Sequence, residues 1–212
     1  VAEDGGKGFQ ELVAALLPQP PTAEADGISP EEAGLAYMQA LADVFADGIA
    51  QNALDRGVRH VVIANIPIIT LTPELQAALD EVEAARGAQA RAQAQALFEQ
   101  WIDAFNARLA DHFASDKRVV VVDVARRFRD LVADPSRYGL TNVTTPLCGE
   151  GSITGFDWSH CTADALAASG PSGAPADWWE HYLFADGFHP TPYGHKLMGD
   201  EALETMAEAG WR

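Results

Sequence analysis

Val58-Arg59-His60-Val61-Val62-Ile63-Ala64-Asn65-Ile66-Pro67 is dense in β-branched residues, apolar on consecutive positions and closed by a proline. An alternating pattern would mark a strand with one wet face. A continuous short run marks a strand covered on both faces, as in a parallel sheet. Arg118-Val119-Val120-Val121-Val122-Asp123-Val124 repeats the pattern. Helical patterns surround both runs. Ser29-Pro30-Glu31-Glu32 is a helix start, with a capping serine, a proline at the first helical position and an acid that completes a capping box. Leu35, Met38, Leu41, Val44, Phe45, Ile49 and Leu54 then recur at helical spacing, and Gly57 can close that helix in a left-handed conformation. Pro73 opens the next helix, and Gly87 can divide the stretch from Glu74 to Ala114 into two. Leu97, Trp101, Ile102, Phe105, Leu109 and Phe113 form a core stripe within it. A short helix carries Phe128 and Leu131, and a final helix from Pro192 to Ala209 places Leu197, Met198, Leu203 and Met206 on one face. Helix alternating with strand is the rhythm of an α/β fold with a parallel sheet and covering helices.

The 212 residues suit one domain or a large part of one, and a hydrophobic fraction of 48% supports a sizeable core. No apolar run of about 18 residues occurs, so no sequence stretch reads as a spanning helix. The net charge of −17, from 31 acids against 14 bases, argues against nucleic acid or an anionic membrane as the main partner. It favours an uncharged or cationic substrate. Val1 is not an initiator methionine, so a processed, cleaved or truncated start is expected.

The stretch from Asp134 to about Asp177 is rich in Gly, Ser, Thr and Pro and reads as a long irregular loop of the kind that forms lids or binding loops. It holds Cys148 and Cys161. They are either a disulfide closing a small ring, which implies an oxidising compartment, or two unrelated thiols. Trp178 to Ala185 is expected to return to ordered structure.

Asp186-Gly187-Phe188-His189-Pro190-Thr191 follows. An acid three residues ahead of a histidine can hold the imidazole in one tautomer and stabilise the imidazolium formed when it takes a proton from a hydroxyl. In open α/β sheets such groups lie beyond the carboxyl ends of strands. By itself the spacing is common, and a solvent-exposed Asp with a capping His is the plainer reading. His181, His189 and His195 do not match a tight metal-ligand motif, because Pro190 and Pro192 break the helix that an i, i+4 pair needs, so no metal is expected. Trp178, Trp179 and Tyr182 either line an acyl or leaving-group pocket or belong to the core, and Phe188 lies inside the motif.

The segment Asp186 to His195 resembles the last block of the SGNH, or GDSL, family of serine esterases and lipases, where D-x-x-H is followed by Pro-Thr and a closing helix. Val61 to Pro67 with Thr72-Pro73, Phe105-Asn106-Ala107-Arg108-Leu109, Val121 to Val124, and Tyr138-Gly139-Leu140-Thr141-Asn142-Val143-Thr144 with Cys148 are similar, in order, to its long secreted bacterial branch. The resemblance runs from about residue 30 to the end. It implies a three-layer α/β/α sandwich of flavodoxin-like type with a parallel sheet. It implies ester hydrolysis with Asp186 orienting His189, no cofactor, and an ester or lipid as substrate; Trp178, Trp179 and Phe188 are candidate substrate contacts from their own positions in the sequence. It implies a secreted, periplasmic or cell-surface location.

The family's Gly-Asp-Ser nucleophile block and Gly-x-Asn-Asp oxyanion block are not in this sequence. Ser29 reads as a helix cap, and Ser115, Ser136, Ser152, Ser159, Ser169 and Ser172 have no small-residue elbow around them. Residues 1–212 therefore read as the C-terminal part of one such domain. The first strands, the serine and the oxyanion donors would come from an N-terminal portion of the same protein, which would also cover the sheet edge. Two other functions fit the same residues, a polysaccharide deacetylase and a binding module lacking its nucleophile. Asn65 is expected to be structural.

Overall fold

The computed structural model describes residues 30–170 and 172–211, so the expected Ser29 cap lies outside the described residues. Helix α1 runs Pro30–Asn52, strand β1 Val61–Ala64, α2 Pro73–Arg86, α3 Ala88–Phe113, β2 Val119–Val122, α4 Val124–Ala133, α5 Ala163–Ala168 and α6 Pro192–Glu208. The Val61 amide donates to the Arg118 carbonyl at 2.8 Å and the Asn65 amide to the Val122 carbonyl at 3.1 Å. Both partners advance along the chain together, so β1 and β2 are parallel. The α/β class with a parallel sheet is as expected.

The punctuation residues act where the sequence places them. Gly57, at φ 91°, returns its amide to Leu54 after a short 3-10 turn that follows α1. Thr72 caps α2, Pro73 occupies its first turn and Gly87, at φ 87°, separates α2 from α3. Strand β1 is shorter than Val58 to Pro67, because the Val58 amide turns back to the Ala53 carbonyl at 3.1 Å. It is also less buried than a doubly covered strand: Ile63 is buried, while Val62 is 43% exposed. Strand β2 fits the expectation better, with Val119, Val120 and Val122 buried.

The chain forms two compact units, one of residues 64–96 with 122–211 and the other of 30–63 with 97–121. In the second of these, Ala42 and Ala46 of α1 and Ile102, Phe105, Leu109 and Phe113 of α3 are buried. The Trp101 ring lies where a side chain at Gly34 would stand, 2.3 Å from an added Cβ. Asp43 accepts two hydrogen bonds from Arg108, at 2.7 and 3.0 Å.

The other unit is built on Phe128, Leu131, Leu140, Leu183, Phe184 and Leu197. Phe128 and Phe184 meet edge to face with centroids 5.8 Å apart. Buried Glu201 of α6 accepts from Arg126 and Arg127 of α4. A carboxylate removed from water needs such partners, and two guanidiniums supply them. Leu203 departs from the expected α6 stripe: it is 64% exposed, whereas Leu197 is buried.

The region 134–177 is not structureless. It holds 3-10 turns at Pro135–Tyr138 and Trp158–His160 besides α5. Each has its own side-chain cap: Asp134, Asp157 and Thr162 accept from Arg137, His160 and Ala165 amides. Residues 178–185 form turns and two isolated bridges, Asn142 with Tyr182 and Phe184 with Pro190, rather than a regular strand. Cys148 and Cys161 form a disulfide. Among the described residues, no helix is long and apolar enough to cross a membrane.

Candidate active site

The Asp186–His189 segment is a tight turn hung from the core. Leu183 and Phe184, both fully buried, lead into it. The Ala185 amide donates to the His189 carbonyl at 2.8 Å, and Phe184 pairs antiparallel with Pro190, so the turn closes on itself. Thr191 locks the exit. Its amide donates to the Leu183 carbonyl at 2.8 Å, its hydroxyl donates to the Tyr182 carbonyl at 2.6 Å, and its oxygen accepts the Gly194 amide at 3.0 Å as the cap of α6. The Gly187 carbonyl accepts the Glu74 amide, one of the otherwise unpaired donors in the first turn of α2, at 2.8 Å.

Gly194 is required by close approach. A Cβ there would stand 2.9 Å from the Leu183 carbonyl oxygen and 2.9 Å from the Pro190 Cβ. Gly194→Ala should force α6 away from the turn and destabilise the fold by about 1–3 kcal/mol. Urea unfolding checks this, and an unchanged midpoint would refute the packing argument.

Within the turn the two carboxylate oxygens divide their work. Asp186 Oδ1 accepts the His189 amide at 2.6 Å and the Phe188 amide at 2.8 Å. Oδ2 lies 2.9 Å from His189 Nδ1. The carboxylate therefore faces the Nδ1 side and draws the proton there, leaving the Nε2 lone pair to act as a base. Partial burial acts to raise the Asp186 pKa, but the His189 and Phe188 amides and the imidazole outweigh it and hold it below the ordinary value. A depressed folded-state pKa means these bonds stabilise the fold above the ordinary carboxylate value. That contribution is lost as pH falls through the lowered one.

The imidazole is 66% exposed, so Nε2 is open to a reacting group. Among the described residues, the ring hydrogen bonds of His189 are to Asp186. The Ser136, Ser159 and Ser169 hydroxyls donate to Asp134, to Asp157 and to the Leu166 carbonyl, while Ser152 accepts from the Gly155 amide. A cleft of about 890 Å³ reaches Gly187 and is lined by Leu71, Glu74, Val143, Thr145, Pro146 and Glu150. The loop between α4 and α5 thus forms part of its wall.

Other residues singled out by sequence fall elsewhere. Trp178 donates its indole N–H to the Leu166 carbonyl at 2.8 Å and stacks edge-on against Tyr182. With Trp179 it packs on Leu147, Cys148 and Leu166. The rings beside His189 are Phe188, with centroids 5.5 Å apart, and Trp158, at 6.5 Å. Sequence reasoning passed over Trp158, although a tryptophan between two cysteines in a polar loop is a visible signal. His181 lies against Tyr193 with ring centroids 4.7 Å apart. Among the described residues, no cluster of His, Cys, Asp and Glu could hold a metal ion. Asn65 bridges the end of β1 to the start of α4, donating to Asp123 at 2.9 Å and accepting the Ala125 amide at 2.9 Å.

The chain belongs to the GDSL-like lipase/acylhydrolase family, whose pattern matches residues 22–202. It is 32% identical over 88 residues to Lipase 1 of Photorhabdus luminescens, covering 42% of this chain and 12% of that protein. It is 31% identical over 88 residues to a GDSL esterase/lipase of Arabidopsis thaliana, covering 42% of this chain and 20% of that one. The GDSL esterase/lipase EXL2 of the same plant is 27% identical over 107 residues, covering 47% and 26% respectively. The chain thus matches about a quarter or less of the length of each of these relatives.

Proposed function

We propose that this chain supplies the acid–base half of a carboxylic ester hydrolase. The observation that carries the reading is the Asp186–His189 geometry: one carboxylate oxygen fixed by two amides, the other on Nδ1, and Nε2 open to solvent. A serine in an N-terminal portion of the same protein attacks the ester carbonyl while His189 Nε2 takes its proton. The tetrahedral intermediate collapses to an acyl-enzyme as His189 returns the proton to the leaving alcohol. Water then repeats the cycle in reverse order and releases the acid. Asp186 orients the imidazole and stabilises its charged form, and the mechanism uses no cofactor. The disulfide suits an oxidising compartment, which supports a secreted or periplasmic location.

The test uses the full-length protein. It should hydrolyse p-nitrophenyl esters and react covalently with a fluorophosphonate probe. Labelling without ester turnover, together with release of acetate from acetylated glycans, would move the reading to a deacetylase. Neither labelling nor turnover would leave a binding module.

A further inference from the structure

Two large apolar side chains stand in solvent next to the candidate base. Trp158 is 66% exposed and Phe188 is 38% exposed, and both rings lie against His189. Scattered exposed apolar residues need no explanation, but aromatic rings converging on one reactive imidazole form a local patch. The Trp158 backbone is firmly held despite its exposure. The Cys148–Cys161 disulfide closes the loop that carries it. Inside the loop the Gly149 amide donates to the Phe156 carbonyl at 2.7 Å, and the Thr154 hydroxyl donates to the Leu147 carbonyl at 2.6 Å. Asp157 caps the turn, accepting from the Ser159 hydroxyl and His160 amide and lying 2.7 Å from His160 Nδ1. The Ser159 hydroxyl and the His160 ring hold the Asp157 pKa down to about 2, so the cap stays charged at any ordinary pH. A rigid, exposed tryptophan offers contact area at little ordering cost.

The chemistry of the base fixes which part of an ester meets these rings. The same Nε2 that takes the serine proton must later deliver it to the leaving oxygen, so that oxygen lies next to the imidazole. Groups packed around the imidazole therefore face the alcohol side of the scissile bond. We infer that Trp158, with Phe188, forms a leaving-group subsite that selects esters of apolar, ring-bearing alcohols. This rests on the hydrolase reading given above.

The experiment uses the full-length protein with three esters: ethyl butanoate, 2-phenylethyl butanoate and ethyl octanoate. In Trp158→Ala the kcat/KM ratio of 2-phenylethyl to ethyl butanoate should fall about tenfold, the scale of one lost aromatic contact and its buried area. The ratio of ethyl octanoate to ethyl butanoate should hold, and Trp158→Phe should recover most of the loss. The Kd of the product alcohol, 2-phenylethanol, measured by calorimetry, should rise by a similar factor. Both ratios falling together, or neither moving, would overturn the subsite. If the wild-type enzyme hydrolyses none of the esters, the hydrolase reading fails. The calorimetry then decides the subsite, and a Kd unchanged by Trp158→Ala overturns it.

Discussion

In the full-length protein, His189→Ala is expected to lower kcat for ester hydrolysis by roughly 10⁶-fold, and Asp186→Asn by roughly 10⁴-fold. The first removes the imidazole proposed to take the serine proton. The second is more telling because the turn should survive it. Asparagine can present its carbonyl where Asp186 Oδ1 now accepts the two amides. Its NH₂ then faces His189 Nδ1, where Oδ2 now sits at 2.9 Å. A donor in that position repels the Nδ1 proton and moves it to Nε2, so the imidazole offers the serine a proton instead of a lone pair. Circular dichroism should be unchanged in both variants, because the His189 side chain is largely exposed. Full activity in His189→Ala would remove the acid–base assignment altogether.

Removing the disulfide should have the largest effect on stability. Cys148→Ala with Cys161→Ala frees a loop closed over a sequence separation of 13 residues. Loop-closure entropy puts the loss at about 3 kcal/mol. Cys148 is fully buried against Leu147 and Leu166, so alanine also leaves a small void there. The urea midpoint should fall in the double variant, and dithiothreitol should lower the wild-type midpoint most of the way towards it while leaving the variant where it is. A wild-type midpoint indifferent to the reductant would show that the ring is held by its hydrogen bonds alone.

Much of this architecture was legible because local signals agreed with one another. Thr72-Pro73, Gly57 and Gly87 begin and end helices where capping chemistry requires. Of the four consecutive valines of β2, Val119, Val120 and Val122 are buried and Val121 is half-buried, as a run with no polar alternation requires. Strand β1 is shorter than its apolar run because composition carries no information on where a backbone amide turns back. The loop between α4 and α5 reads as irregular in sequence because its order is made of single caps, each one residue deep, with no periodicity to detect.

The site shows a different limit. Asp157-Trp158-Ser159-His160 has the same spacing as Asp186-Gly187-Phe188-His189 and the same local bonds, with the acid on the histidine amide and on Nδ1. Spacing alone does not separate them. Their surroundings do: the Asp157 side chain is 67% exposed and caps its own turn, whereas Asp186 is 25% exposed on a turn tied to α2, α6 and the core. Nearness in sequence has the same limit for the aromatic residues, although Phe188 does lie beside the ring. Trp178 and Trp179 are near His189 in sequence, but Trp158, thirty-one positions away, reaches the ring through the folded loop.

The anchoring of that turn bears on how the protein moves. Its entry is the buried Leu183–Phe184 pair, its exit is the fully buried Thr191, and its apex is bonded to the first turn of α2. Fraying of such a turn is opposed, since each end is continuous with fully buried residues. The imidazole therefore rides on a segment that loosens only when the surrounding core does. Conformational freedom near the base is left to the substrate.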